Sequence, residues 1–188
     1  MKKTLLPVAL LLGFLAIAAF TYKQTSPKPI VFTEKVKWLS WEEAIEANKK
    51  QPKKIVVDVY TDWCGWCKVM DRQTFPNDTI ADYLNKYYYC VKLDAEGHDT
   101  IRFDNKNFVY VTPEQGGGRN GIHTLAYALL DGQMSYPTLV YLTEKMERVA
   151  ISPGYKTPDK LLPELRFTAE EIFKTKSFDE FVKTNMGK

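Results

Sequence analysis

The chain has few of the residues that build disulfide frameworks and zinc sites. It contains three cysteines and two histidines in 188 residues. Neither His98 nor His123 is spaced with the cysteines as a zinc site requires. Cys90 lies alone in an apolar stretch, where burial in a strand explains it without chemistry. We therefore expect no disulfide framework, no metal site and no bound cofactor.

Net charge is also low. The formal charge is +3 at pH 7, and Lys2 and Lys3 supply two of the positive charges. This balance gives no basic surface of the kind that binds nucleic acid or acidic lipid. Hydrophobic residues make up 45% of the chain and aromatic residues 13%, which is enough for one full core. The length leaves no room for a second large domain.

The first 20 residues are typical of an export signal. Two lysines precede an apolar run from Leu5 to Phe20. As a helix this run would span about 24 Å, which is short of the roughly 30 Å hydrocarbon core, so a cleaved signal peptide is favoured over a membrane anchor. Residues 21–34, with Pro27 and Pro29, are predicted to be a tether. We expect the protein in the periplasm, or anchored and facing it.

Cys64 and Cys67 are spaced as a pair at the start of a helix. A buried strand, Ile55–Tyr60, precedes them, and the helix is predicted to continue to about Thr74. Unpaired N–H groups and the helix dipole would stabilise a thiolate at Cys64, and the pair can close a disulfide without unwinding the backbone. This context predicts a redox motif and not half of a metal site.

Three motifs, in the correct order, resemble the thioredoxin superfamily. The segment 63–68 reads W-C-G-W-C-K and follows the family's W-C-G-x-C-K pattern. Asp58 lies six positions before Cys64, where the family has a buried acid. Tyr136-Pro137-Thr138 resembles the cis-proline and the strand that it opens. The resemblance covers about residues 55–151.

The resemblance implies an α/β fold with three layers, in which helices flank a central mixed sheet within residues 35–188. The interval from Cys67 to Pro137 is longer than in a minimal thioredoxin and implies an insertion at about residues 96–121. Period-two alternation predicts a hairpin there, and extra helices are predicted at the C-terminal end. The other predicted elements are a helix from the Ser40 capping box to about Lys50, a helix ending at Tyr87, a strand Tyr88–Asp94, a helix Ile122–Leu130, a hairpin of Leu139–Leu142 with Arg148–Ile151, and helices after Thr157 and at Ser177–Lys183.

The resemblance also implies a role for each site residue. Cys64 would attack a substrate disulfide, and Cys67 would then resolve the mixed disulfide. Asp58, desolvated and raised in pKa, would accept the proton of Cys67. Lys92 falls where thioredoxins often carry a lysine near that acid, although an exposed strand lysine is equally compatible with the sequence.

Four further residues are predicted to bind substrate. Pro137 in the cis form would hold the Tyr136 backbone open to pair with an extended substrate strand. Trp63 and Trp66 would form the walls of the site, with ordinary aromatic packing as the alternative interpretation of each.

The direction of the reaction depends on weaker signals. Gly65-Trp66 stands where thioredoxin carries Gly-Pro, and no histidine separates the cysteines, which favours a reductant of protein disulfides. An exported reductant cannot draw directly on cytosolic thiols, so a membrane electron donor is expected. The alternatives are a disulfide oxidase or isomerase, a copper(I) or other metal delivery protein with the same fold, and a binding module that recognises a partner through the insertion and the last helices.

Overall fold

The computed structural model describes residues 35–185, so the predicted signal peptide and tether lie outside the described residues. In chain order the elements are β1 (Trp38–Leu39), α1 (Trp41–Lys50), β2 (Lys54–Tyr60), α2 (Gly65–Gln73), α3 (Asp78–Tyr87), β3 (Tyr88–Asp94), β4 (Ile101–Phe103), β5 (Lys106–Phe108), β6 (Tyr110–Val111), β7 (Ile122–His123), α4 (Thr124–Leu129), β8 (Thr138–Leu142), β9 (Arg148–Pro153), α5 (Pro158–Ala169) and α6 (Phe178–Asn185). Short 3₁₀ turns cover Pro113–Gln115 and Ile172–Lys174.

The central sheet is mixed and has the order β1-β3-β2-β8-β9. Strands β1 and β2 both run parallel to β3, while β8 is antiparallel to β2 and to β9. In this register Asp58 of β2 lies opposite Lys92 of β3 on one side and Leu139 of β8 on the other. The acid therefore sits in the middle of the sheet.

The two faces of the sheet pack against different helices. One core cluster combines Val56 and Cys90 with residues of α3 and α5. The other combines Val57 and Val91 with residues of α1 and α4. Because successive side chains of a strand point to opposite faces, neighbouring residues of β2 enter different clusters. The predicted three-layer α/β fold is confirmed.

Local sequence signals set the first helix. The Ser40 hydroxyl accepts a hydrogen bond from the Glu43 N–H at 3.1 Å, and the Glu43 carboxylate accepts one from the Ser40 N–H at 2.8 Å. This reciprocal capping box satisfies two backbone donors that a helix start otherwise leaves unpaired. The prediction for α1 is confirmed.

The insertion contains the predicted hairpin, formed by β4 and β5. The prediction of one helix from Ile122 is wrong at its start, because Ile122 and His123 instead pair with β6. The His123 Nδ1 accepts a hydrogen bond from the Leu125 N–H at 3.3 Å, and the His123 N–H donates to the Ala95 carbonyl at 2.7 Å. His123 therefore ends a strand and caps α4.

The C-terminal region supplies the two expected helices, α5 and α6. Phe167 of α5 lies 5.3 Å from Phe178 and 5.7 Å from Phe181 between ring centroids. These aromatic contacts attach α6 to the domain. Within residues 35–185, no helix is both long enough and apolar enough to cross a bilayer.

Candidate active site

Cys64 and Cys67 form a disulfide at the beginning of α2. The two Cα atoms are 5.3 Å apart. Cys64 is the N-cap of the helix, and its sulfur accepts a hydrogen bond from the Cys67 N–H at 3.1 Å. One N–H group of the first turn, that of Cys67, therefore points at the Cys64 sulfur.

The disulfide is buried, whereas the tryptophan next to each cysteine in the sequence is exposed. Cys64 is 5% exposed and Cys67 is 3% exposed, so both cysteines are buried in the disulfide form. Trp63 is 60% exposed and Trp66 is 61% exposed. Large apolar side chains that remain in water beside a buried reactive group are typical of a contact surface for another molecule.

A groove of about 320 Å³ runs beside Trp66. Tyr136, Pro137, Gly154 and Tyr155 form the rest of its lining. The Tyr136–Pro137 peptide bond is cis, as predicted. The Gly154 N–H donates to the Pro137 carbonyl at 2.7 Å, which fixes the loop after β9 against the start of β8. Trp66, Tyr136 and Pro137, which the sequence predicted as one site, thus share one groove.

Trp63 connects the site to the insertion. Its ring lies 5.9 Å from that of Tyr136 in an edge-on arrangement. Its indole N–H lies 3.0 Å from both carboxylate oxygens of Glu96, and Glu96 also accepts a hydrogen bond from the Asn120 side chain at 3.1 Å. Sequence reasoning did not identify Glu96, because no spacing rule relates it to the cysteines.

Tyr155 is a second residue that sequence reasoning missed. Its ring lies 5.3 Å from that of Trp66, and it lines the same groove as Pro137. In the sequence it follows a strand and a glycine and belongs to no motif, so only the fold brings it to the cysteine pair.

Asp58 is buried and lies next to α2. It is 1% exposed. Its Oδ2 is 2.8 Å from the Lys92 ammonium, which also contacts Asp71, one helical turn after Cys67. Among residues 35–185, the other oxygen, Oδ1, has no hydrogen-bond partner. Burial raises the pKa of Asp58, and the Lys92 ammonium offsets only part of that rise.

The Lys92 ammonium is enclosed by aromatic rings as well as carboxylates. It lies 4.9 Å from the centroid of Trp38, 5.1 Å from Tyr60 and 5.3 Å from Phe75. Ring faces attract a cation and hold it in place. The sequence left two positions open for Lys92, beside the buried acid or exposed on a strand. The structure places it beside Asp58.

The remaining cysteine and the histidines lie apart from this chemistry. Cys90 is buried and free, and burial raises its pKa to about 12. His98 stacks on Tyr110, and His123 is buried at the start of α4. In the described part of the chain, no three His, Cys, Asp or Glu residues are grouped so that they could hold a metal ion.

Comparison with known proteins identifies the family. The sequence profile Thioredox_DsbH, described as a protein of unknown function (DUF255), matches residues 24–169. The chain belongs to the Thioredox_DsbH family. Its fold is also found in solved structures. It superposes on a DsbH oxidoreductase with a TM-score of 0.52 and 16% identity, over 77% of this chain and 91% of the other.

A thioredoxin-fold protein from Helicobacter pylori gives a TM-score of 0.53 with 14% identity, over 82% of this chain and 86% of the other. At these identities the likeness establishes the thioredoxin fold.

Among curated relatives, mouse spermatogenesis-associated protein 20 is 34% identical over 83 residues, which is 44% of this chain and 10% of that protein. The protein DsbD of Pseudoalteromonas atlantica, named a thiol:disulfide interchange protein, is 38% identical over 45 residues, 24% of this chain and 8% of that protein. The matches thus span about a tenth of the length of these relatives.

Proposed function

We propose that this member of the Thioredox_DsbH family is a thiol–disulfide oxidoreductase that reduces protein disulfides in the cell envelope through Cys64 and Cys67. One observation carries the proposal: a closed Cys64–Cys67 disulfide caps α2 beside a groove that contains a cis-proline. The DsbH and DsbD relatives support the same class of chemistry by their names.

The reaction would begin with the reduced protein. The Cys64 thiolate attacks one sulfur of a substrate disulfide, and the other substrate sulfur leaves as a thiolate that takes a proton from water. A mixed disulfide between Cys64 and the substrate results. The Cys67 N–H, which points at the Cys64 sulfur, would stabilise the attacking thiolate.

Resolution of the mixed disulfide needs a base. Asp58 accepts the proton of the Cys67 thiol, and Oδ1 is the oxygen available for this because Oδ2 contacts Lys92. The Cys67 thiolate then attacks the Cys64 sulfur, and the Cys64–Cys67 disulfide closes. The second substrate sulfur leaves as a thiolate and takes up a proton as Asp58 releases the one that it accepted. The substrate gains two electrons and two protons, which the protein dithiol loses.

The groove and the tryptophans would bind the substrate. An extended segment lies along the Tyr136 backbone beside Pro137, with its cysteine facing Cys64. Trp63 and Trp66 would both contact the substrate, since each is exposed and each packs against a tyrosine of the groove. Regeneration needs a reductant outside the cytosol, and a membrane electron donor would supply it.

Insulin reduction provides the test. The pre-reduced protein should reduce insulin disulfides with a matching loss of its own free thiols, and Cys64→Ser should abolish the reaction. Cys90→Ala is the matched control and should react normally, since Cys90 is buried away from the pair. A wild-type rate no greater than that of Cys64→Ser would refute the activity.

Two further measurements separate the alternatives. A reduction potential near −120 mV, the value of a strong oxidant, would reverse the proposed direction. Tight copper(I) binding that needs Cys64, without insulin reduction, would support metal delivery.

Experiments in cells test the substrates and the location. Cys67→Ala should trap the mixed disulfide with substrates or with the electron donor. Recovery of the protein in the cytosol alone would refute the envelope location.

A further inference from the structure

The contact between Lys92 and Asp71 adds a residue to the redox centre. Asp71 lies on α2, one turn after Cys67, and its carboxylate contacts the ammonium that also contacts Asp58. The Asp71 side chain is 42% exposed, whereas that of Asp58 is 2% exposed. A single cation therefore bridges a buried carboxylate and a solvent-accessible one.

We propose that Asp71 is a positioning residue of the redox centre, which shares the Lys92 ammonium with Asp58 and so keeps Asp58 a stronger base toward Cys67. This inference rests on the proposed function, in which Asp58 takes the Cys67 proton. Asp71 touches neither the cysteines nor the substrate in the proposed reaction, and it acts through Lys92.

The geometry gives Asp71 two ways to act. Its carboxylate competes with that of Asp58 for the hydrogen bonds that the Lys92 ammonium can donate. It also places a second negative charge near Asp58, and like charges disfavour the ionised form. Both effects have the same sign, and both raise the pKa of Asp58. A stronger base removes a thiol proton more readily.

Lys92 and Asp71 are the two charged groups of the described residues that act on the pKa of Asp58. Lys92 approaches Asp58 from β3 and Asp71 acts from α2, the helix that also carries the cysteines. Strand β8 presents Leu139 at the same register position, which carries no charge. On β2 itself, Tyr60 contacts Lys92 through its ring. The rings around Lys92 restrict its movement, so the sharing between the two acids is built into the fold.

The test measures Asp58 directly. In the reduced whole chain labelled with ¹³C-aspartate, the carboxyl signal of Asp58 is assigned by its loss in Asp58→Asn and is then titrated. Asp71→Asn should lower the Asp58 titration midpoint by about one pH unit. Asp71→Glu, which restores a carboxylate, should return the midpoint toward the wild-type value. Asp82→Asn removes an exposed acid from α3 and is the matched control, which should leave the midpoint unchanged.

The rate at which Cys67 resolves a mixed disulfide is the second measurement. The acid limb of its pH profile should move down with the Asp58 midpoint in Asp71→Asn and stay in place in Asp82→Asn. Equal Asp58 midpoints in the wild type and Asp71→Asn would overturn the inference, even if the protein reduces insulin. A shifted midpoint in a protein that reduces no disulfide would instead overturn the proposed function and leave the coupling of Asp71 to Asp58 established.

Discussion

The indole N–H of Trp63 lies 3.0 Å from each carboxylate oxygen of Glu96. Trp63 precedes the first cysteine, and Glu96 is the first residue of the insertion expected from the sequence. The carboxylate thus holds a largely exposed ring in a fixed orientation beside the disulfide. The insertion therefore contributes directly to the surface that a substrate would meet.

Glu96→Gln should weaken substrate binding. The charge-assisted contact with the indole is lost, and Trp63 then rotates more freely. Loss of about 1 kcal/mol corresponds to a rise of about fivefold in KM for insulin, with little change in kcat. Glu114→Gln, at an exposed acid elsewhere in the insertion, should leave KM unchanged. A similar KM in the wild type and Glu96→Gln would count against a binding role for Trp63.

Asp58→Asn should stabilise the fold at neutral pH. Because burial raises the pKa of Asp58, the folded state holds the proton more tightly than the unfolded state. Stability therefore falls as pH rises from about 4, the usual aspartate value, through the folded pKa. Removal of the carboxylate should raise the free energy of unfolding by about 1–3 kcal/mol at pH 7 and should leave it almost unchanged at pH 3.

Urea unfolding of the oxidised protein at pH 7 and pH 3 measures this difference. Asp82→Asn, at an exposed position, should be neutral at both values. If Asp58→Asn raised the free energy of unfolding equally at pH 3 and pH 7, ionisation of Asp58 could not be the cause of the increase.

Cys90 should stay unreactive in the folded protein. Burial raises the pKa of its thiol to about 12, so little thiolate forms at neutral pH. After reduction, an aromatic disulfide reagent should titrate two thiols rapidly in the native state and all three cysteines only in denaturant. Cys90→Ala should lose only the slow thiol. Rapid reaction of a third thiol in the native wild type would show that the β3 region opens.

Tyr155→Ala should distinguish protein substrates from small ones. The ring extends the groove beyond Trp66, so its removal should raise KM for insulin about five- to thirtyfold, which corresponds to 1–2 kcal/mol. Reduction of hydroxyethyl disulfide, which is too small to reach the ring, should be unaffected. Tyr127→Ala removes another exposed tyrosine and serves as the control. Equal losses on both substrates would place the effect on the cysteines instead.

Much of the fold follows from local sequence signals. The limits of β3 agree with the prediction, since apolar residues from Tyr88 onward end at a polar turn. The capping box placed the start of α1, and the cysteine pair placed the start of α2. In each case the deciding interaction lies within a few residues.

The misses have a different physical origin. Ile122 and His123 join a strand because β6 offers them hydrogen bonds from a distant part of the insertion. Glu96 and Tyr155 reach the site through tertiary packing alone. No periodicity or spacing in one sequence encodes such contacts, whereas the cysteines, Asp58 and Pro137 are tied to strands and turns that the sequence does encode.

The hydrogen bond from the His123 N–H to the Ala95 carbonyl joins the chain just before the insertion to the chain just after it. The two ends of the insertion thus meet at one place, while its side chains Ile101, Phe103 and Phe108 pack against the core. Exchange of this insertion between homologues would change the surface around Trp63, while β2 and β3 would keep their pairing. Such an arrangement would let the surface beside the disulfide vary between homologues while the cysteine pair stays the same.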